Sequence, residues 1–169
     1  LANSPLSVSK SNASVLSKTR LKGTQQGIPT LEQVVAACPS VVHWQFEIKT
    51  QFCNPKFIHP MKRLIHKYQL HDKVTITSQH AGTLGIFKRV LPQIKRGYVQ
   101  ARSWQEGIKT ATKFDCNMLV LNKNLARKKH IENAQQQGLH VSVWTVNFKE
   151  DMQRLLDYQV DSIISDIPT

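Results

Sequence analysis

Apolar and polar positions alternate in two different rhythms along most of this chain. Residues 1–27 are rich in Ser, Lys, Asn and Gly and show little periodicity. They read as an irregular segment with one helical turn around Ala13–Ser17. From residue 28 the pattern becomes regular, so residues 28–169 are predicted to form one folded domain. Pro29 and Thr30 precede Leu31, which makes Thr30 the N-cap of a helix running to Ala37. Val42–Thr50 alternates with a period of two and predicts a strand. Lys56–Tyr68 places Met61, Leu64, Ile65 and Tyr68 on one helical stripe, with Pro60 predicted as its true start.

The alternation continues to the C-terminus. Strands are predicted at Val74–Gln79, Gly97–Ala101, Asn117–Leu121, His140–Val146 and Ser162–Ser165. Helices are predicted at Thr83–Val90, Trp104–Lys113, Asn124–Gln137 (closed by Gly138) and Phe148–Tyr158. Six strands, each followed by a helix before the next, imply a parallel sheet, because parallel neighbours need a crossover. The fold class is α/β, as either an open doubly wound sheet or a (β/α)8-type barrel. No Gly-rich turn follows any strand, so dinucleotide binding has no support.

Composition adjusts this picture only modestly. The chain has 169 residues, 40% hydrophobic, enough for one domain with a real core. No apolar run is long enough to span a membrane, and no signal peptide is visible. The chain does not begin with Met, so it is expected to be processed or to be a piece of something longer. The formal net charge of +12 invites a polyanion partner. The charge is spread over Lys62-Arg63, Lys88-Arg89, Lys95-Arg96 and Arg127-Lys128-Lys129, all expected on solvated helix faces, which argues against nucleic acid. Cys38, Cys53 and Cys116 show no metal spacing. They read as buried, inert residues of a reducing, cytoplasmic compartment.

In either closure, chemistry belongs at the C-terminal ends of the strands. The strand around Trp44 sends Trp44, Phe46 and Ile48 to one face and His43, Gln45, Glu47 and Lys49 to the other. Glu47 and Lys49 then stand together at its upper end. They are either a carboxylate for a divalent metal beside a phosphate-neutralising ammonium, or an ordinary edge-strand ion pair. Thr77, Ser78, Gln79 and His80 end the next strand, as pocket wall or as plain loop-start residues. Asn122 either faces a ligand or caps the following helix. Trp144, sharing a face with Ser142 and Val146, is an apolar wall for a small ligand or core filling. Asp166, before an X-Pro turn, is expected to fix the loop by accepting backbone N–H groups. No Ser-His-Asp order, Walker loop or zinc spacing is present.

Three stretches together resemble one family. Ile28-Pro29-Thr30-Leu31-Glu32-Gln33-Val34 resembles the helix start of the glycerophosphodiester phosphodiesterases, and Phe46-Glu47-Ile48-Lys49 resembles their metal-bearing strand. Gly138 to Asn147, Met152 to Leu156 and Val160 to Pro168 resemble the family's closing segment. The resemblance implies a TIM barrel that hydrolyses glycerophosphodiesters to glycerol 3-phosphate and an alcohol. A divalent cation, calcium or magnesium, and two histidines as general acid and base would serve it. It further implies that Glu47 is a metal carboxylate, Lys49 a phosphate-facing lysine and Trp144 a pocket tryptophan.

The departures from that pattern shape the expectations. The family's His-Arg-Gly, Glu-x-Asp and His-Asp segments precede the helix start, and Leu1–Gly27 contains no His, Asp or Glu. The catalytic histidines, two metal carboxylates and the first two barrel strands are therefore expected to be missing. Gln79 stands where the family has an aromatic, and Gln159 where it has Gly. An incomplete six-stranded barrel would hold a metal poorly, would turn over slowly if at all, and would risk self-association through open strand edges. The rival readings are a non-catalytic relative that binds phosphate ligands or acts as a scaffold, and a basic polyanion-binding module.

Overall fold

In the computed structural model, which describes residues 5–51 and 53–167, the chain forms two compact units, Leu1–Val42 and His43–Thr169. The first contains a 3-10 turn (Val8–Lys10), α1 (Ala13–Leu16) and an antiparallel bridge between Arg20 and Gly27. Only glycine fits at 27, because a Cβ there would run into the Ser17 carbonyl. The unit ends with α2 (Leu31–Ala37). Thr30 Oγ1 accepts the Gln33 N–H (3.2 Å) while Gln33 Oε1 accepts the Thr30 N–H (2.8 Å), so two orphan donors at the helix start are satisfied reciprocally.

The second unit alternates strand and helix: β1 (Trp44–Glu47), α3 (Pro55–Lys67), β2 (Val74–Ser78), α4 (Ala81–Val90), β3 (Lys95–Gln100) and α5 (Trp104–Lys113). It continues with β4 (Met118–Asn122), α6 (Lys128–Gln136), β5 (His140–Trp144), α7 (Lys149–Asp157) and β6 (Ser162–Ile163). All neighbours are parallel and the order is β1-β2-β3-β4-β5-β6. This order decides between the two closures left open by the sequence. A doubly wound sheet reverses its winding at a switch point, whereas right-handed crossovers that never reverse put every helix on one side. The sheet is accordingly a curled half-barrel, with an outer face under the helices and an inner face without them. No helix among the described residues is long and apolar enough to cross a membrane.

Strand alternation sorts the core into two layers. Leu119, Leu121, Val141 and Val143 point outward and pack with Leu84, Ile108, Ile131 and Leu155 from the helices. Val99, Met118 and Val120 point inward, where Trp144 and Ile164 join them. The predicted stripe of α3 is buried through Met61, Leu64 and Ile65, with Ile58 added one turn earlier.

Several boundaries differ from expectation. α3 starts at Pro55, not Pro60: Asn54 caps it by accepting the Phe57 N–H (3.2 Å), and Pro55 occupies the first turn, where a missing N–H costs nothing. Pro60 lies inside the helix, where burial of the stripe outweighs the lost hydrogen bond. The predicted helix from Asn124 divides into a 3-10 turn (Lys123–Leu125) and α6. Cys38 is exposed, not buried; Cys53 and Cys116 are buried, and desolvation holds the Cys116 thiol at about 11, which keeps it protonated and inert.

The expected solvated cluster at Lys95-Arg96 is also corrected. These residues lie on β3, so they face opposite sides of the sheet. Arg96 is 6% exposed on the helix side. Its guanidinium donates to the carbonyls of Pro92 (3.1 Å), Ile94 (2.9 Å), Phe114 (3.5 Å) and Asp115 (3.0 Å). Two of these carbonyls lie at the C-terminal end of α5, where a cation also complements the helix dipole.

Helix ends repeat one device. Gln69, Asp115, Gly138 and Gln159 all have positive φ, and each is followed by a residue whose N–H returns to the last turn: Leu70 to Ile65, Cys116 to Ala111, Leu139 to Ala134, Val160 to Leu155. This is the Schellman closure. Gly138 adopts it freely, whereas Gln159 meets a steric penalty there.

Candidate active site

The C-terminal ends of the strands gather the predicted rim residues on the inner face. On β1, Glu47 is paired in register with Thr77 of β2. Lys49 Nζ reaches back to Glu47 Oε2 at 2.8 Å, with the lysine side chain 77% exposed and the glutamate 39%. The ammonium is thus free to turn toward a solvent-borne anion at little cost, since an exposed ion pair contributes under about 1 kcal/mol.

Three polar side chains hold this corner. Ile48 N–H joins the ladder through Thr77 O (2.7 Å), Ser78 Oγ donates to Ile48 O (2.6 Å), and Thr83 Oγ1 donates to Thr50 O (2.9 Å). His80 Nε2 lies 3.2 Å from Lys49 O and donates to it. β1 proper ends at Glu47, so these contacts extend its course through Lys49. The polar run after β2 therefore positions the neighbouring strand, a role that single-strand reading could not foresee. Gln79, next on the inward alternation, is exposed.

On the adjoining strands, Asn122 and Trp144 are register partners. Asn122 Oδ1 accepts the Asn124 N–H at 3.0 Å, so the capping alternative is realised at its oxygen. Trp144 packs against the inner core, and its indole Nε1 is buried with no hydrogen-bond partner. Thr77 Oγ1 is orphaned in the same way. Both atoms lie on the inner face, and buried polar groups without a protein partner are uncommon. Val146 does not share the face of Trp144 as expected. β5 ends at Trp144, the two-residue alternation stops there, and Val146 joins the helix-side core. The Trp144–Thr145 peptide is cis.

Asp166 is held differently from expectation. Its Oδ2 accepts the Asn147 side-chain amide (3.0 Å), while Asn147 Oδ1 accepts the Asp166 N–H (3.0 Å). It is Ser165 Oγ that takes the following N–H, from Ile167 (3.1 Å). Pro168, the end of the motif, lies outside the described residues. Beside the rim, Asp151 bridges Lys123 (2.8 Å) and Arg154 (2.7 Å). Hydrogen bonds from Lys123 and then Arg154 hold its carboxyl below the usual aspartate range.

A divalent cation does not fit the donors described here. Glu47 is engaged by Lys49 and Asp166 by Asn147, and the two belong to opposite ends of the strand order. Among the described residues no three His, Cys, Asp or Glu side chains come together. Calcium takes six to eight oxygens, and one ion-paired carboxylate falls far short of that set.

Relatives set this geometry in context. The chain is 27% identical over 106 residues to a glycerophosphodiester phosphodiesterase of Caldanaerobacter subterraneus subsp. tengcongensis, a match that covers 63% of this chain and 44% of that protein. Among solved structures, a glycerophosphodiester phosphodiesterase from Parabacteroides distasonis superposes with a TM-score of 0.76 at 19% identity, over 93% of this chain and 67% of its own. The Oleispira antarctica phosphodiesterase solved with sn-glycerol-3-phosphate superposes with a TM-score of 0.70 at 20% identity, over 85% and 60%. These structural likenesses carry the fold alone, and the chain spans less than half the length of the curated relative. The sequence itself matches the glycerophosphoryl diester phosphodiesterase family across residues 4–169, and the chain belongs to that family.

Proposed function

We propose that this chain is a glycerophosphodiester phosphodiesterase domain whose inner rim receives the phosphate of a glycerophosphodiester or of its product glycerol 3-phosphate. By itself the 169-residue chain binds such a ligand without turning it over. The observation that carries this reading is the paired Glu47 and Lys49 at the same inner rim as the orphaned Trp144 Nε1. Lys49 supplies a mobile ammonium for a phosphate oxygen, and the Trp144 ring gives the same rim a partly apolar wall whose indole N–H reports on binding. Asn122 and Gln79 stand beside them as further pocket residues. Hydrolysis in the family requires a cation and a positioned acid and base, and the donors described here do not make up that set.

The test is an NMR titration of the chain with glycerol 3-phosphate, together with an assay for choline release from glycerophosphocholine in calcium or magnesium. The expected result is a saturable shift of the Trp144 indole N–H, lost in Lys49→Met, with no choline released. An unmoved indole, or a shift that survives Lys49→Met, would overturn the rim as a phosphate site. Chelator-sensitive turnover abolished by Glu47→Gln would instead make Glu47 a working metal ligand. Among the described residues β1 and β6 each have one strand neighbour. We also expect concentration-dependent association through these edges, which light scattering would reveal.

A further inference from the structure

The opposite end of the same inner face carries a second cluster. A cavity of about 570 Å³ opens at the N-terminal ends of the strands. Lys95, Met118, His140 and Ser162 are the first residues of β3, β4, β5 and β6, and His43 immediately precedes β1; all of them line it. His140 and Trp144 are the two ends of β5, so this mouth is separated from the rim by about 13 Å of strand. It is a different place from the phosphate rim.

Its chemistry is one-sided. Two imidazoles, an ammonium and the hydroxyls of Ser142, Ser162 and Thr75 line the cavity, and no carboxylate does. Asp161, next to Ser162, is turned away: its Oδ2 accepts the Val141 N–H (2.7 Å) and the Gln135 amide (3.1 Å). Both histidines are held by their Nε2 atoms, His43 against Thr75 Oγ1 (3.0 Å) and His140 against Ser162 Oγ (2.8 Å). If these hydroxyls donate, each Nδ1 carries a proton that is free to be offered. Ser142 is fully buried, and its hydroxyl has no partner. These groups also feel one another: burial, then Lys95, then His140 push the His43 pKa down, which favours its neutral ring. Lys95 and two imidazoles beside a buried, unpartnered hydroxyl, with no carboxylate on the lining, make a donor set suited to an anion. Met118, Ile163 and Ile164 supply an apolar wall on the same cavity.

We propose that this lower mouth binds a small organic phosphate, its oxygens held by Lys95, His43, His140 and Ser142 and its organic part lying against Ile163 and Ile164. A phosphate is preferred to a carboxylate because its tetrahedral oxygens point in well-separated directions, toward donors arriving from three strands, whereas a carboxylate's two oxygens lie in one plane.

The experiment follows the His43 and His140 imidazole signals during titration with inorganic phosphate and with glycerol 3-phosphate, using acetate and chloride at matched ionic strength as comparisons. Saturable shifts are expected with both phosphates, with glycerol 3-phosphate the tighter ligand, and the His43 pKa should rise on binding because an anion stabilises the imidazolium. Lys95 is exposed, so Lys95→Met should fold normally while weakening phosphate at least about tenfold at these histidines. The same variant should leave the Trp144 indole response intact, and Lys49→Met should leave the histidine response intact, so failure of one site is separable from failure of the other. Shifts that match those with chloride, that survive Lys95→Met, or that vanish in Lys49→Met would overturn the lower site.

Discussion

The two faces of the one sheet obey different rules. On the outer face the large side chains of β4 and β5 cluster with aliphatic side chains from α4–α7, and the buried cation Arg96 donates to backbone carbonyls. On the inner face lie all three of the buried, unpartnered polar atoms found among the described residues: Thr77 Oγ1, Ser142 Oγ and Trp144 Nε1. The outer face is thus satisfied by the chain's own helices, whereas the inner face keeps the unpartnered polar groups. Stability should respond to changes on the first, and binding to changes on the second.

The largest expected effect tests the outer face. Leu119 is fully buried in the helix-side core, and Leu119→Ala should cost about 3 kcal/mol in urea unfolding through lost burial and a residual cavity. A loss under about 1 kcal/mol would mean that this layer is loosely packed and the contrast overstated. Arg96→Met should cost about 2–3 kcal/mol, because carbonyls at the end of α5 lose their donor inside the protein. Near-neutral behaviour would show that solvent reaches those carbonyls.

Helix ends and surface ion pairs contribute less. Gln159→Gly should stabilise by about 1 kcal/mol, since the positive φ at the end of α7 suits glycine, offset in part by the freer unfolded chain. The Asp151 bridge should contribute under about 1 kcal/mol. Its carboxyl is lowered in the fold, so the contribution is present above the ordinary aspartate pKa of about 4 and is lost as pH falls through the lowered value. Asp151→Asn should flatten that acid limb of the stability curve and leave the neutral-to-alkaline side parallel to the parent. The smallest change belongs to the inner face. Thr77→Val removes an orphaned hydroxyl at almost constant shape and should shift stability by no more than about 0.5 kcal/mol, in either direction. A loss as large as that of Leu119→Ala would show that Thr77 is structurally satisfied.

Much of this was legible before any coordinates. Thr30 with Gln33, the stripe of α3 and the strand–helix rhythm are local patterns, and local backbone chemistry enforces them. Glu47 and Lys49 could be placed together because two residues on one strand share a face. Pro60 misled, since a proline's position says nothing of how much burial a helix can set against it. Arg96 misled for a related reason: adjacent basic residues look like one patch, yet on a strand they face opposite ways. His43, Lys95, His140 and Ser142 are scattered over a hundred residues of sequence, so their convergence was invisible.

Periodicity, capping residues and alternation were sufficient to establish six strands, their parallel sense and the polar face of β1, because each depends on neighbours within a few residues. The choice of half-barrel over doubly wound sheet, the placing of Asn122 beside Trp144, and the gathering of His43, Lys95 and His140 at the lower mouth belong to the tertiary structure. They depend on strand order and register, which arise from long-range packing of helices on one face of the sheet and leave no local trace in the chain.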